Sequence, residues 1–350
     1  MIWLTWRQFR GSALMTAAAL LTLTAVLALT GPGLAAQYAT GIAGCTSGDA
    51  CTRFFDQFFG ENQLAFVAVS FAVLALPALT GLFWGAPLIS RELEAGTHLL
   101  VWNQSITRGR WLAVKLALTG LTAVAAACVC GLAATWWSQP LDRSAVPELA
   151  QMAPLVFGAR GTVSMGYAAF AFVLGVTVGM LVRRTLPAMA LTLAVFAAVQ
   201  LAMPLLVRPH LMPPVTATFE LGHANVGGFT IQDHGGGDVQ IATKAAVPGD
   251  AGAWVLTSEL TDPSGRVIAG MGEEAPVPVS GTSGPCAPQG GPPNLDACWV
   301  EINQLGYRQQ ATYHPLERFW PFQWIETGIY ALLTAALTGF CFWWIRRRLS

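Results

Sequence analysis

Charge is scarce in this sequence. Of 350 residues only 11% are Asp, Glu, Lys or Arg, while 54% are hydrophobic and the mean hydropathy is +0.51. A soluble globular domain carries about 25% charged residues, so this chain has too little charge to coat a water-facing surface. That excludes a soluble enzyme, a nucleic-acid binder and a disordered protein. Lysine is nearly missing: only Lys115 and Lys244 occur among the 19 basic residues. A phosphate-cradling GxxxxGK[ST] loop is therefore impossible, since neither lysine follows a glycine. HExxH is absent, and His210, His223 and His234 are spaced too irregularly for a metal site. Ser283, Asp296 and His314 occur in the chain order of α/β-hydrolases, but Gly281-Thr-Ser-Gly-Pro285 lacks the last glycine of a nucleophile elbow. Formal net charge is zero, so nothing global suggests an electrostatic partner.

What is present is a set of long uncharged runs with charge confined between them. A hydrocarbon core of about 30 Å needs about 20 helical residues. Six stretches qualify: Ser12 to Leu34, Gln63 to Ile89, Trp111 to Trp137, Thr162 to Val182, Leu186 to Val207 and Phe322 to Ile345. The first is longer than a signal-peptide core and no small-x-small cleavage site follows it, so it reads as a retained anchor. With the N-terminus inside, the inner segments hold Arg7, Arg10, Arg91, Arg108, Arg110, Lys115, Arg183, Arg184, Arg346, Arg347 and Arg348. The two short outer loops hold only Arg53, Arg143 and Arg160. The positive-inside rule then places both termini in the cytoplasm. Ile2, Trp3, Trp6 and Phe9 recur at helical spacing beside Arg7 and Arg10, which predicts a separate interfacial helix before the first span.

The expected fold is an all-α polytopic membrane protein of six transmembrane helices with a small β-rich extracellular domain between helices five and six. The boundaries read as 1–207 for the membrane part, 208–321 for the outer domain and 322–350 for the last helix and a basic tail. In the outer domain, Ala253 to Leu260 and Arg266 to Ile268 flank a Thr-Asp-Pro-Ser-Gly turn and predict a hairpin. Cys298 to Leu305 alternates apolar and polar and predicts another strand. Cys45 and Cys51 fall in the first outer loop, and Cys286 and Cys298 in the outer domain. Four cysteines in an oxidising compartment allow three pairings, of which the local ones close the shortest loops. Each local bridge would contribute about 2–3 kcal/mol in the chain-entropy picture.

Polar groups inside the spans are the remaining signal. Glu326 lies one turn into the last span with Gln323 beside it, and Gln200 lies in the fifth. An intramembrane carboxylate is functional by default, so these three are candidates to line a passage. Gly81-xxx-Gly85 and Gly175-xxx-Gly179 are candidate helix contacts, because small residues let backbones approach. The inner loop after the second span, Arg91-Glu-Leu-Glu-Ala-Gly-Thr97, is unusual in carrying Glu92 and Glu94 where the other inner loops are purely basic. A short acidic helix closed by Gly96 there would suit docking to a soluble partner.

That stretch resembles the E-x-E-x-G-T segment of ABC-2 type permeases, the membrane subunits of ABC exporters. Six spans with both ends inside and a large outer segment before the last span are similar to the G-type exporters. Met1-Ile-Trp-Leu-Thr-Trp-Arg7 and Phe319-Trp-Pro-Phe-Gln-Trp-Ile-Glu326 resemble actinobacterial permeases of this kind. The resemblance implies that Arg91, Glu92, Glu94, Gly96 and Thr97 form an ATPase-coupling loop. It further implies a separate ATP-binding subunit holding ATP and Mg, a second permease subunit as homo- or heterodimer, no cofactor in this chain, and a multi-pass place in a bacterial plasma membrane. The outer segment is larger than in most bacterial members. The alternative is a membrane-anchored sensor or immunity protein that captures a ligand through its outer domain without transport.

Overall fold

The computed structural model describes residues 2–45, 48–96, 107–231, 238–287 and 295–347. Thr97 and His234 lie outside these residues. Among the described residues six helices are long and apolar enough to cross a membrane. Helix α1 spans Ile2–Ala43 and α2 spans Gly48–Thr80. A widened turn over Gly81–Gly85 leads from α2 directly into α3, Ala86–Glu94. Then follow α4, Arg108–Asp142, α5, Val163–Val182, and α6, Thr185–Ala202. The expected interfacial helix is not a separate element. Residues before Ser12 continue α1 without a break, because no proline interrupts them, Gly11 alone does not end the helix, and Phe9 anchors on Trp84 with ring centroids 4.7 Å apart.

Two turns of π-helix shape the bundle, each beside a proline. In the first, the Ala86 N–H bonds the Gly81 carbonyl five residues back; Pro87, next in the chain, has no N–H to give. The second, Met203–Val207, contains Pro204 and ends with the Arg208 N–H on the Met203 carbonyl. The added residue advances the helical register by roughly one residue, about 100°, and carries Arg208 to the interior. Helix α5 sits at the centre, with 78% of its most apolar window buried, against 6% for α1. It is apolar on every side, as a fully enclosed helix must be.

After α6 the chain builds two antiparallel sheets. Strands β1 (Val215–Phe219), β7 (Arg308–His314), β4 (Trp254–Thr261) and β5 (Val267–Ala269) form one, in that order. Strands β2 (Val226–Ile231), β3 (Asp238–Thr243) and β6 (Glu274–Ser280) form the other. The predicted hairpin is β4–β5, pairing Leu260 with Ala269. In its turn Asp262 accepts the N–H groups of Ser264 and Arg266, and Gly265 supplies φ +81°. The Ser264 hydroxyl above all, with these N–H groups, holds the Asp262 carboxyl down at about 2. Strand β6 turns Ala275, Val277 and Val279 inward at period two, towards Val239 and Ile241 of β3.

The strand expected over Cys298 to Leu305 is instead a helix, α7, Leu295–Gln304. Cys298, Trp299 and Ile302 are buried, a three-to-four-residue spacing that overrides the short alternation. Asp296 lies in its first turn, where the helix dipole favours negative charge. Cys286 and Cys298 are joined by a disulfide that pins the start of α7 to the sheet. The other local pairing is not formed. Cys45 and Cys51 are free thiols, with Cys51 held in the first turn of α2. Hydrogen bonding to Cys51, helped by partial burial, raises the Cys45 thiol above its ordinary value. The chain re-enters the bundle as α8, Phe319–Arg347.

Candidate functional site

The helix crossing at the centre is made by glycines. A Cβ on Gly175 would lie 2.4 Å from the Gly81 carbonyl oxygen, and one on Gly179 would lie 2.5 Å from that of Ala86. From the other side, a Cβ on Gly81 would meet the Ala171 carbonyl oxygen at 2.6 Å and one on Gly85 that of Phe172 at 2.4 Å. All four candidate glycines thus belong to one contact, between the π-turn and α5 within this chain. No other residue fits at that separation.

Just below the crossing, α3 carries the acidic loop to the end of the bundle. Glu92 forms an ion pair with the buried Lys115 of α4, whose ammonium also bonds the Leu88 carbonyl at 3.4 Å and sits 4.9 Å from the Trp111 ring. Glu94 accepts the Thr185 N–H at 3.0 Å and its hydroxyl at 2.8 Å, and so caps the start of α6. Both glutamates are thus bonded to this chain's own helices, Glu92 half-buried and Glu94 exposed at the end of the bundle. Arg91 and Ala95 are exposed, and Gly96, at φ +69°, reverses the chain in open space.

Glu326 is fully buried and doubly paired. Its carboxylate accepts Arg208 Nε at 2.9 Å and Nη2 at 3.1 Å, and also the Tyr167 hydroxyl. The Arg208 guanidinium lies 4.1 Å from the Phe157 ring centroid. Tyr330 donates to Gln200 Oε1 at 2.7 Å and stands edge-on to Tyr167. Gln323 Oε1 accepts the N–H groups of Thr162 and Val163, each at 2.9 Å, and its amide donates to the Phe157 carbonyl at 3.1 Å. It caps α5, which has no side-chain cap of its own. Gly161, at φ +63°, is required for this approach, since a Cβ there would fall 2.7 Å from Gln323 Oε1. The passage role expected for Glu326 and Gln323 is thus replaced by a clamp. Both are sealed inside one chain's packing, Glu326 because its buried charge needs the Arg208 partner and Gln323 because its buried amide needs its hydrogen bonds. Gln200 is half-buried at its edge.

Sequence reading missed two partners. Arg208 was assigned to the soluble segment, although a carboxylate inside a span signals that a cation must follow it into the bundle. The second is Arg160, also fully buried, which meets Asp142 at 3.4 Å through two nitrogens and Ser70 at 3.3 Å. Ser138 adds a bond to Asp142 at 2.8 Å. Both ion pairs lie on the side of the bundle that carries the sheets. Met152 there bonds the Gly252 carbonyl at 3.1 Å, and His314 of β7 stacks edge-on against Phe322 of α8 at 4.9 Å.

Among the described residues no group of His, Cys, Asp and Glu is placed to hold a metal ion. No curated protein and no solved structure matches the chain. Residues 17–208, more than half of the chain and the stretch from α1 to the Arg208 clamp, match the family described as ABC-2 membrane transporter related. The chain is a multi-pass membrane protein that belongs to the ABC-2 membrane transporter related family.

Proposed function

We propose that this chain is the permease subunit of an ATP-driven ABC exporter, working with a separate ATP-binding subunit that holds ATP and Mg. The observation that carries the reading is the lever formed by α2, the π-turn and α3 within the family-matched stretch. It crosses the bundle, meets α5 most closely at Gly81 and Gly85, with Trp84, Ala86 and Ile89 packed beside them, and ends in the exposed turn Arg91–Gly96. A push on that turn would reach α4 through Glu92–Lys115 and α6 through Glu94–Thr185 at once. The widened turn at Gly81–Gly85 provides the pivot, since helices bend at such turns. The exposed arginines at the same end support a cytoplasmic location for it and for both termini, with the sheets outside. The carrier would sit in a bacterial plasma membrane, paired with a second permease subunit. Its cargo would be hydrophobic or amphipathic, because the charges in its spans are spent on one another.

Co-expression with the ATP-binding subunit encoded beside this chain tests the reading by co-purification and ATPase activity. Native chain should retain the subunit, and Arg91→Glu should lose it with an unchanged melting temperature. Glu94→Arg should lose both association and stability, because it also uncaps α6. Failure of the native chain to hold any ATP-binding subunit in mild detergent would overturn the exporter reading. Ligand capture by the outer domain would then take its place.

A further inference from the structure

One end of the bundle gathers the start of α1, the start of α4 and the close of α8. Phe9, Trp111, Leu112, Cys341 and Ile345 share one buried cluster there, and a Cβ on Gly109 would lie 3.8 Å from the Arg346 guanidinium. Around the cluster stand Arg7, Arg10, Arg110, Arg346 and Arg347, all exposed. Segments 1–48, 95–141 and 327–350 contain no Asp or Glu, so these three helices cannot neutralise the five charges themselves. Of the acids of α3, Glu92 pairs with Lys115, and the exposed Glu94 bonds Thr185 beside Arg184. The positive end of the α4 dipole adds to the same field. Two of the arginines lie over exposed indoles, Arg7 at 5.4 Å from the Trp3 ring and Arg347 at 5.9 Å from that of Trp343. Indole rings settle at the headgroup level of a bilayer, which puts these guanidinium groups among lipid phosphates. Beyond them α1 exposes Leu14 and Met15, an apolar wall for acyl chains.

We propose that this basic patch binds an anionic phospholipid, with its phosphate held by Arg110, Arg346 and Arg347 and flanked by Arg7 and Arg10. Guanidinium forks match phosphate oxygens in pairs, and the site needs no ATP-binding subunit. Purified full-length chain is equilibrated in micelles with equal amounts of phosphatidylglycerol and phosphatidylcholine, and retained lipid is counted by native mass spectrometry. Phosphatidylglycerol should be retained over phosphatidylcholine by about a hundredfold, since each of the three arginines on the phosphate contributes roughly fivefold. Arg110→Gln/Arg346→Gln/Arg347→Gln should bring the ratio near one, while the matching triple Lys variant keeps most of it. Arg266→Gln, in the outer hairpin, should leave it unchanged. If the triple Gln variant does not fold, Arg346→Gln and Arg347→Gln on the exposed last turn should each lower the ratio about fivefold. Equal retention of the two lipids by native chain overturns the proposal. So does an undiminished preference in a folded Gln variant, or loss of an ATP-binding subunit in place of lipid.

Discussion

Glu326 and Arg208 illustrate what a charge inside this bundle requires. Each is stable only because the other is there, and Tyr167 completes the carboxylate's bonds. Removing one member leaves a buried ion without compensation, which typically costs about 3–5 kcal/mol. Arg208→Met and Glu326→Gln should therefore each lower the melting temperature in detergent substantially. The double variant should be less destabilised than the sum of the two, and strict additivity would show that the pair is not coupled. His314 behaves differently because it can titrate. Burial against Phe322 and Trp254 holds its imidazole below the ordinary 6.5, with the Pro209 carbonyl opposing and Arg318 adding to the shift. The unfolded chain takes up this proton near pH 6.5 and the folded chain only at lower pH. The contribution is thus complete above pH 6.5 and is lost as pH falls through the folded value. Melting of the sheet domain, followed from about pH 7 to pH 5, should fall more steeply in native chain than in His314→Phe.

At the level of elements, contact between helices is decided by the absence of side chains. Gly85→Ala and Gly175→Ala each force a Cβ against backbone carbonyl or amide atoms that cannot step aside, and overpacking of this kind costs about 1–3 kcal/mol. Gly339→Ala in α8 meets nothing and should be neutral or slightly stabilising. Equal melting temperatures for Gly175→Ala and Gly339→Ala would overturn the close crossing. The six spans were legible because hydropathy over twenty residues reports them directly. Which span is central was not, since lipid and protein interior are equally apolar; only the small residues of α5 carry that information. Gly81, Gly85, Gly175 and Gly179 were legible as small-residue pairs, but not that they face one another. Helix α7 was misread because eight residues of alternation over Cys298 to Leu305 weigh less than contacts made from Leu295 onward. Its disulfide closes a loop with a sequence separation of 12 and should contribute about 3 kcal/mol. Cys286→Ser/Cys298→Ser should lower the melt of the sheet domain accordingly and increase amide exchange over α7 first.

The whole molecule is polarised. One end shows arginine after arginine, its few acids bonded to Lys115 and Thr185, while the other carries two buried ion pairs and the sheets. The proposed orientation rests on this asymmetry, because exposed basic loops are retained on the cytoplasmic side during insertion. Arg160 and Arg208, though basic, do not oppose this orientation, since each is matched by a carboxylate in the folded bundle. The free thiols of Cys45 and Cys51 and the exposed turn at Ala95 lie at opposite ends of the second span, Cys51–Glu94. A membrane-impermeant maleimide applied to intact cells should therefore label native Cys45 or Cys51. Ala95→Cys, in a background lacking the other free cysteines, should react only after the membrane is opened. Labelling at Cys45 should accelerate as pH rises, because its bond to Cys51 holds the thiol above its ordinary value and keeps the reactive thiolate sparse. The reverse pattern, Ala95→Cys reacting in intact cells and Cys45 protected, would invert the molecule in the membrane. It would also place the lever turn of α3 where no ATP-binding subunit could reach it.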